Sequence, residues 1–152
     1  MGTNREAGEV DPRLWQYRAG DQVPRVLHTM LRVTDFEASL HFYCETLGMK
    51  VLDRFDVESR RATGVFVGYG DSAQTALLEL TRKWDVTRYE HGEAFGHVAI
   101  GVADLDRLVG RIDDAGYQVT DRPSAVVDGG PKVAFVKDPD GFVVELVQLQ
   151  QV

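Results

Sequence analysis

The chain has 152 residues, 43% of them hydrophobic and 27% charged, an ordinary composition for one compact domain or two small modules. A net charge of −7 without any basic run argues against nucleic acid as a main partner, because phosphate neutralisation needs clustered Lys and Arg. Cys44 is alone, which rules out an intramolecular disulfide framework; no apolar run approaches the roughly 20 residues of a membrane span, and the first residues lack a signal pattern, so a cytoplasmic protein without membrane association is expected.

Residues 1–24 show little periodicity and read as an N-terminal extension, which Leu14, Trp15 and Tyr17 could dock. From 25 to 152 the pattern is regular. Val26 to Val33 alternates as a strand. Thr34 or Asp35 can cap the next helix, whose apolar stripe is Phe36, Leu40, Tyr43 and Leu47, and Gly48 stops it in the left-handed conformation. Met49 to Phe55, Val65 to Tyr69 and Thr75 to Thr81 read as three further strands. The order then returns. Gly96 to Val102 is a strand, Asp104 caps a helix running through Leu105, Leu108 and Ile112 to Gly116, and Tyr117 to Thr120, Val133 to Val136 and Phe142 to Gln148 are strands. Both halves, about 25–82 and 95–149, read β-α-β-β-β, which makes an α+β domain of two βαβββ modules.

The repeat is visible in residues as well. His28 starts a His-x-x-x-x-Val-x-Asp string ending at Asp35, and His97 starts the same string ending at Asp104. Each half then carries a Glu in its last strand, Glu79 and Glu145, at nearly equal offsets from its His. A carboxylate inside an apolar strand is costly to desolvate unless it is paired, protonated or metal-bound. A lone strand His is more often a hydrogen-bonded structural residue, and a lone strand Glu usually faces water. Four such residues recurring in register favour one divalent ion held by His28, Glu79, His97 and Glu145, and mixed N and O donors suit Ni²⁺, Co²⁺ or Zn²⁺.

Other candidates are weaker. His41 lies on the first helix and reads as half exposed; His91, in a polar link, reads as solvated; Cys44 reads as a buried inert thiol. Gly68-Tyr69-Gly70 is a turn signal without a following helix, and Asp138-Pro139-Asp140-Gly141 reads as a hairpin turn in preference to a calcium loop.

Leu27-His28-Thr29-Met30-Leu31-Arg32-Val33, Phe42-Tyr43 with Leu47-Gly48-Met49, Phe66 to Gly70, Leu78-Glu79-Leu80-Thr81, Phe95-Gly96-His97 and Asp138 to Phe142 together resemble glyoxalase I, of the vicinal oxygen chelate (glyoxalase/bleomycin resistance-like) superfamily. The resemblance covers about residues 26–149. It implies a homodimer with metal sites at the subunit interface, where His28 and Glu79 of one subunit join His97 and Glu145 of the other. It also implies conversion of the hemithioacetal of methylglyoxal and a thiol, glutathione by resemblance, to an S-lactoyl thioester through an enediolate. Glu145 is then the leading base, Glu79 a counterpart for the other epimer, and Arg32 a contact for a thiol carboxylate. The chain departs from the family pattern at Lys83-Trp84-Asp85, where Asn-Trp-Gly or Asn-Tyr-Gly is common, so Lys83 is a candidate partner for a substrate carboxylate. An acyl-thioester epimerase or biosynthetic tailoring enzyme of the superfamily, or a non-catalytic small-molecule-binding or resistance protein, are the rival expectations; an extradiol dioxygenase fits the ligand set less well.

Overall fold

The computed structural model describes residues 24–70 and 75–151, so the expected N-terminal extension lies, apart from Pro24, outside the described residues. The chain divides into two compact units with the boundary between Tyr89 and Glu90. The first contains β1 (His28–Arg32), α1 (Phe36–Leu40), β2 (Lys50–Val57), β3 (Ala62–Gly68) and β4 (Leu77–Lys83). The second contains β5 (His97–Val102), α2 (Leu105–Asp114), β6 (Val119–Ala125), β7 (Lys132–Lys137) and β8 (Val143–Gln148). Sheet order is β1-β4-β3-β2 in one unit and β5-β8-β7-β6 in the other. In each, the first and last strands run parallel and the remaining pairs are antiparallel. Two four-stranded mixed sheets with one helical crossover each are the βαβββ architecture expected.

Each helix begins on the Asp that closes the repeated string. Asp35 Oδ1 accepts from the Glu37 and Ala38 amides at 2.8 and 3.3 Å, and Asp104 Oδ1 accepts from the Arg107 amide at 3.0 Å. Each helical segment stops on a glycine with positive φ, Gly48 at 82° and Gly116 at 80°. Burial of one face of each sheet follows the period of two. Leu31, Val33, Leu80, Val65 and Val67 are buried in the first unit, and Ile100, Leu146, Ala134 and Val136 in the second. Each large aliphatic side chain so removed from water contributes about 1.5–3 kcal/mol as an upper figure.

The first helix differs from the expectation of one regular stripe. After Leu40 the chain continues as a π-helical segment, His41–Thr46, in which the Leu47 amide reaches back to the Phe42 carbonyl at 2.9 Å. The wider turn shifts the helical phase, so the adjacent Phe42 and Tyr43 both point into the core, edge to face with centroids 4.9 Å apart. Leu40, assigned to the stripe by spacing, is only half-buried, while Ser39 is buried and donates to the Asp35 carbonyl at 2.8 Å. In α2 the buried residues are Leu105, Val109 and Ile112, with Leu108 half-buried. β6 runs to Ala125, beyond the expected end at Thr120, because it pairs with β7 through two register irregularities.

The end of the π-helical segment is held by Tyr69, whose hydroxyl donates to the Leu47 carbonyl at 2.9 Å. Burial, and secondarily the Cys44 sulfur, pushes the Tyr69 phenol from 10.0 up to about 12. The unfolded phenol loses its proton near 10 while the folded one retains it, so folding stability falls as pH rises from about 10 to about 12. Tyr69→Phe is expected to cost about 1 kcal/mol at neutral pH through the lost hydrogen bond. It should also flatten the loss above pH 10, as read from urea midpoints of the two proteins across that range.

Candidate metal centre and adjoining cavity

On β1 the alternation places His28, Met30 and Arg32 on the open face of the sheet, opposite the face that buries Leu31. On β4 it places Leu77, Glu79, Thr81 and Lys83 there. The parallel register pairs His28 with Leu77 and Met30 with Glu79, which makes His28 and Glu79 diagonal neighbours. Their long side chains close the gap, and His28 Nε2 lies 3.1 Å from Glu79 Oε2. The His28 ring stands edge-on to Phe66, centroids 5.3 Å apart, and Phe66 is the cross-strand partner of Glu79 on β3.

The second unit repeats this arrangement. Ala99 pairs with Glu145 and His97 with Val143, and His97 Nε2 lies 3.2 Å from Glu145 Oε2. His97 stands edge-on to Phe135 at 5.6 Å, and Phe135 is the cross-strand partner of Glu145. The two carboxylates are 18% and 20% exposed, which leaves them partly desolvated beside an imidazole. The phenylalanine beneath each imidazole was not singled out by sequence reasoning. Its signal was present, an aromatic on the strand facing the glutamate in each half.

Two donors sharing one ion at about 2.1 Å lie about 3.0 Å apart at a right angle and about 3.4 Å apart at a tetrahedral one. Separations of 3.1 and 3.2 Å fall in that interval, and an imidazole nitrogen with a carboxylate oxygen is a donor pair suited to a divalent first-row ion. Each pair therefore fits as half of a ligand set. Among the described residues, no three or more His, Cys, Asp or Glu side chains gather into a larger group. The pairs differ in one anchor. Thr81 Oγ1 donates to Glu79 Oε1 at 3.0 Å, whereas the residue two beyond Glu145 is Val147, which has no hydroxyl.

Beside Glu79, the open face of the first sheet holds a cavity of about 300 Å³. It exists because β3 presents Ala62 and Gly64 there. The Phe55 ring lies over Gly64, where an added Cβ would come within 2.3 Å of Phe55 Cζ, and stacks on Phe66 at 5.3 Å. Arg32 and Lys83, both expected to contact substrate, line this cavity together with Arg60. Lys83 Nζ donates to the Arg60 carbonyl at 2.6 Å. Arg61 follows with a left-handed φ of 47° and clamps Asp85 through two hydrogen bonds of 2.6 and 2.8 Å. Those bonds hold the Asp85 carboxyl below the usual carboxylate range, outweighing an opposing effect of burial, and the Arg61 and Lys83 charges act in the same downward direction. On the other face, Trp84 Nε1 donates to Thr63 Oγ1 at 3.0 Å.

The remaining candidates fall away from these groups. His41 is exposed, near Glu45 one helical turn on. Cys44 is half-buried, and burial followed by the Glu45 charge pushes its thiol up, away from the reactive thiolate. His91, expected to be solvated, is instead half-buried and stacks on Phe142 with centroids 4.2 Å apart, because the link around it folds back onto the second unit. Asp138 is buried and accepts from the Asp140 and Phe142 amides at 3.0 and 2.8 Å. Its carboxylate thus closes the expected hairpin turn.

Residues 25–146 match the family of the glyoxalase/bleomycin resistance protein/dioxygenase superfamily. A probable lactoylglutathione lyase of Vibrio cholerae is 46% identical over 127 residues, covering 84% of this chain and 92% of the relative. Among solved structures, the trypanothione-dependent glyoxalase I of Leishmania major superposes with a TM-score of 0.75 at 44% identity, covering 83% of this chain and 87% of that one. Glyoxalase I of Zea mays superposes with a TM-score of 0.79 at 36% identity over 84% of this chain, which spans 46% of the length of the maize chain. With the doubled βαβββ architecture and a His–Glu pair repeated in each unit, these matches establish that the chain belongs to the glyoxalase/bleomycin resistance protein/dioxygenase superfamily.

Proposed function

We propose that this chain is a glyoxalase I, a metal-dependent isomerase that converts the hemithioacetal of methylglyoxal and a low-molecular-weight thiol to an S-lactoyl thioester. The observation that carries the reading is the His–Glu pair, set over a phenylalanine and repeated in the same register of both sheets. The similar Vibrio cholerae protein is a probable lactoylglutathione lyase, which favours glutathione as the thiol. A thiol cosubstrate suits a reducing cytoplasm.

We infer that His28, Glu79, His97 and Glu145 hold one nickel, cobalt or zinc ion, with the His28–Glu79 pair of one subunit completed by the His97–Glu145 pair of a second copy. Held by those residues, a divalent ion would supply positive charge that stabilises developing oxyanions and so would acidify the carbon-bound proton. Glu145 takes that proton, leaving an enediolate, and returns it to the neighbouring carbon to form the thioester. A ligating carboxylate is a poor base until it loosens, and the two glutamates differ in how firmly they are anchored. Thr81 ties Glu79 by a hydrogen bond, while Val147 leaves Glu145 without an equivalent hydroxyl. Glu145 is accordingly the main base, with Glu79 the counterpart for the opposite epimer. Arg32 and Lys83 orient the thiol's carboxylates.

Chelator-treated protein should be inactive with methylglyoxal and glutathione, and one ion per four-ligand site should restore thioester formation, followed by the ultraviolet absorbance of the product. Protein that binds no divalent ion by equilibrium dialysis sinks the reading. Glu145→Gln is expected to lower kcat by about 10²–10⁴-fold, the span of general-base contributions. Glu79→Gln should weaken metal binding more than Glu145→Gln does. The order of kcat losses reverses if Glu79 is the main base. Thr81→Val should free Glu79 and raise turnover of the disfavoured epimer relative to wild type, measured with resolved hemithioacetals.

A further inference from the structure

We propose that Arg61 and Asp85, neither of which lines the cavity beside Glu79, are positioning residues that hold the Lys83 ammonium in place. The proposal rests on the glyoxalase reading, in which Lys83 meets a carboxylate of the thiol, and adds to it the device that fixes Lys83. Lys83 pairs with Ala62 at the last rung of the β3–β4 ladder. The ends of strands open more readily than their middles, and a lysine on such an end carries a flexible four-carbon stem. Three contacts close this end. The Trp84 amide donates to the Arg61 carbonyl at 3.0 Å, the Arg61 guanidinium grips Asp85 through bonds of 2.6 and 2.8 Å, and the same guanidinium lies 5.5 Å from the centroid of the Trp84 ring. Trp84 is tied in turn by its indole Nε1 to Thr63 Oγ1 at 3.0 Å. With the two segments held together, Lys83 Nζ reaches the Arg60 carbonyl at 2.6 Å.

The direction of that carbonyl is set by the peptide plane joining Arg60 to Arg61, and therefore by the Arg61 backbone. Arg61 has a φ of 47°, the one positive φ among the described non-glycine residues, in a region where a Cβ is crowded and glycine is at ease. Strain of this kind persists only where the surroundings over-determine it. Here the Arg61 amide donates to the Glu58 carbonyl at 3.0 Å, the Arg61 carbonyl accepts from Trp84, and the side chain is forked onto Asp85. The ion pair is a poor candidate for a stabiliser of the fold, because its partners are 62% and 65% exposed and such pairs contribute little to folding. Its two parallel bonds fix direction instead. The clamp thus joins a strained turn to the strand end that carries Lys83, on the side of the ladder end away from the metal pair.

Asp85→Asn and Arg61→Gly separate positioning from a plain contribution to folding, since glycine adopts the left-handed backbone without strain. In the nickel-loaded full chain each should raise KM for the methylglyoxal–glutathione hemithioacetal by about three- to tenfold, part of what a hydrogen bond to a charged group is worth, with kcat held within about twofold. Once Lys83 is replaced by Gln, adding Asp85→Asn should change KM no further. Acetylation of Lys83, followed by mass spectrometry, reads the same device without substrate. Its reference is Lys50, at the end of β2 opposite the clamp. Freed from the Arg60 carbonyl, Lys83 should react at least about threefold faster in both variants while Lys50 keeps its rate. Unchanged KM or unchanged Lys83 acetylation in Asp85→Asn overturns the proposal, as does an equal rise in KM when Lys83 is already Gln. If the wild-type protein turns over no hemithioacetal, the glyoxalase reading fails while the acetylation rates still decide the positioning, faster reaction in the variants supporting it and equal rates ending it.

Discussion

One contact organises each half of this protein, the diagonal imidazole–carboxylate pair across two parallel strands. Parallel pairing of β1 with β4, and of β5 with β8, brings a residue near the start of the module beside one near its end. A helical crossover is what permits that parallel pairing. The Asp caps and the glycine stops matter for function because they set where the crossover begins and ends, and through it the register that puts His28 diagonal to Glu79 and His97 diagonal to Glu145. A slip of one residue would send each histidine to the opposite face of its sheet.

The pair is then oriented by its neighbours. The phenylalanine opposite each glutamate supports the imidazole edge-on, restricting its rotation on a face otherwise open. In the first unit the support extends further, since Phe66 stacks on Phe55 and the tip of the Phe55 ring lies over Gly64. The missing side chain of Gly64 thus serves two ends, close aromatic packing and an adjoining space large enough for part of a small molecule. The two His–Glu pairs share their geometry while their surroundings differ, as the contrast of Thr81 with Val147 also shows.

Much of this was legible in the chain. The period-two runs, the repeated His-x-x-x-x-Val-x-Asp string and the glutamate in each last strand pointed to the two βαβββ halves and singled out the residues that meet as His–Glu pairs, because strand alternation and capping chemistry are local. The π-helical widening at His41–Thr46 was not legible. Spacing alone assigns Leu40 to the buried stripe, but the helix gains more by burying both aromatic rings of Phe42 and Tyr43 than by keeping regular geometry. His91 was misread for a related reason. A polar stretch reads as solvated, and only the path of the folded link brings that ring against Phe142.

The amino-acid order by itself determined the doubled βαβββ plan and the residue types able to bind a divalent ion, since both follow from periodicity, caps and donor chemistry within short segments. Only the tertiary structure decided that each histidine meets its glutamate at about 3 Å over an aromatic ring, and that Arg32, Arg60 and Lys83 surround one cavity. The physical reason is range. Register between strands far apart in sequence, and the space left where a glycine faces a phenylalanine, depend on how whole sheets pack.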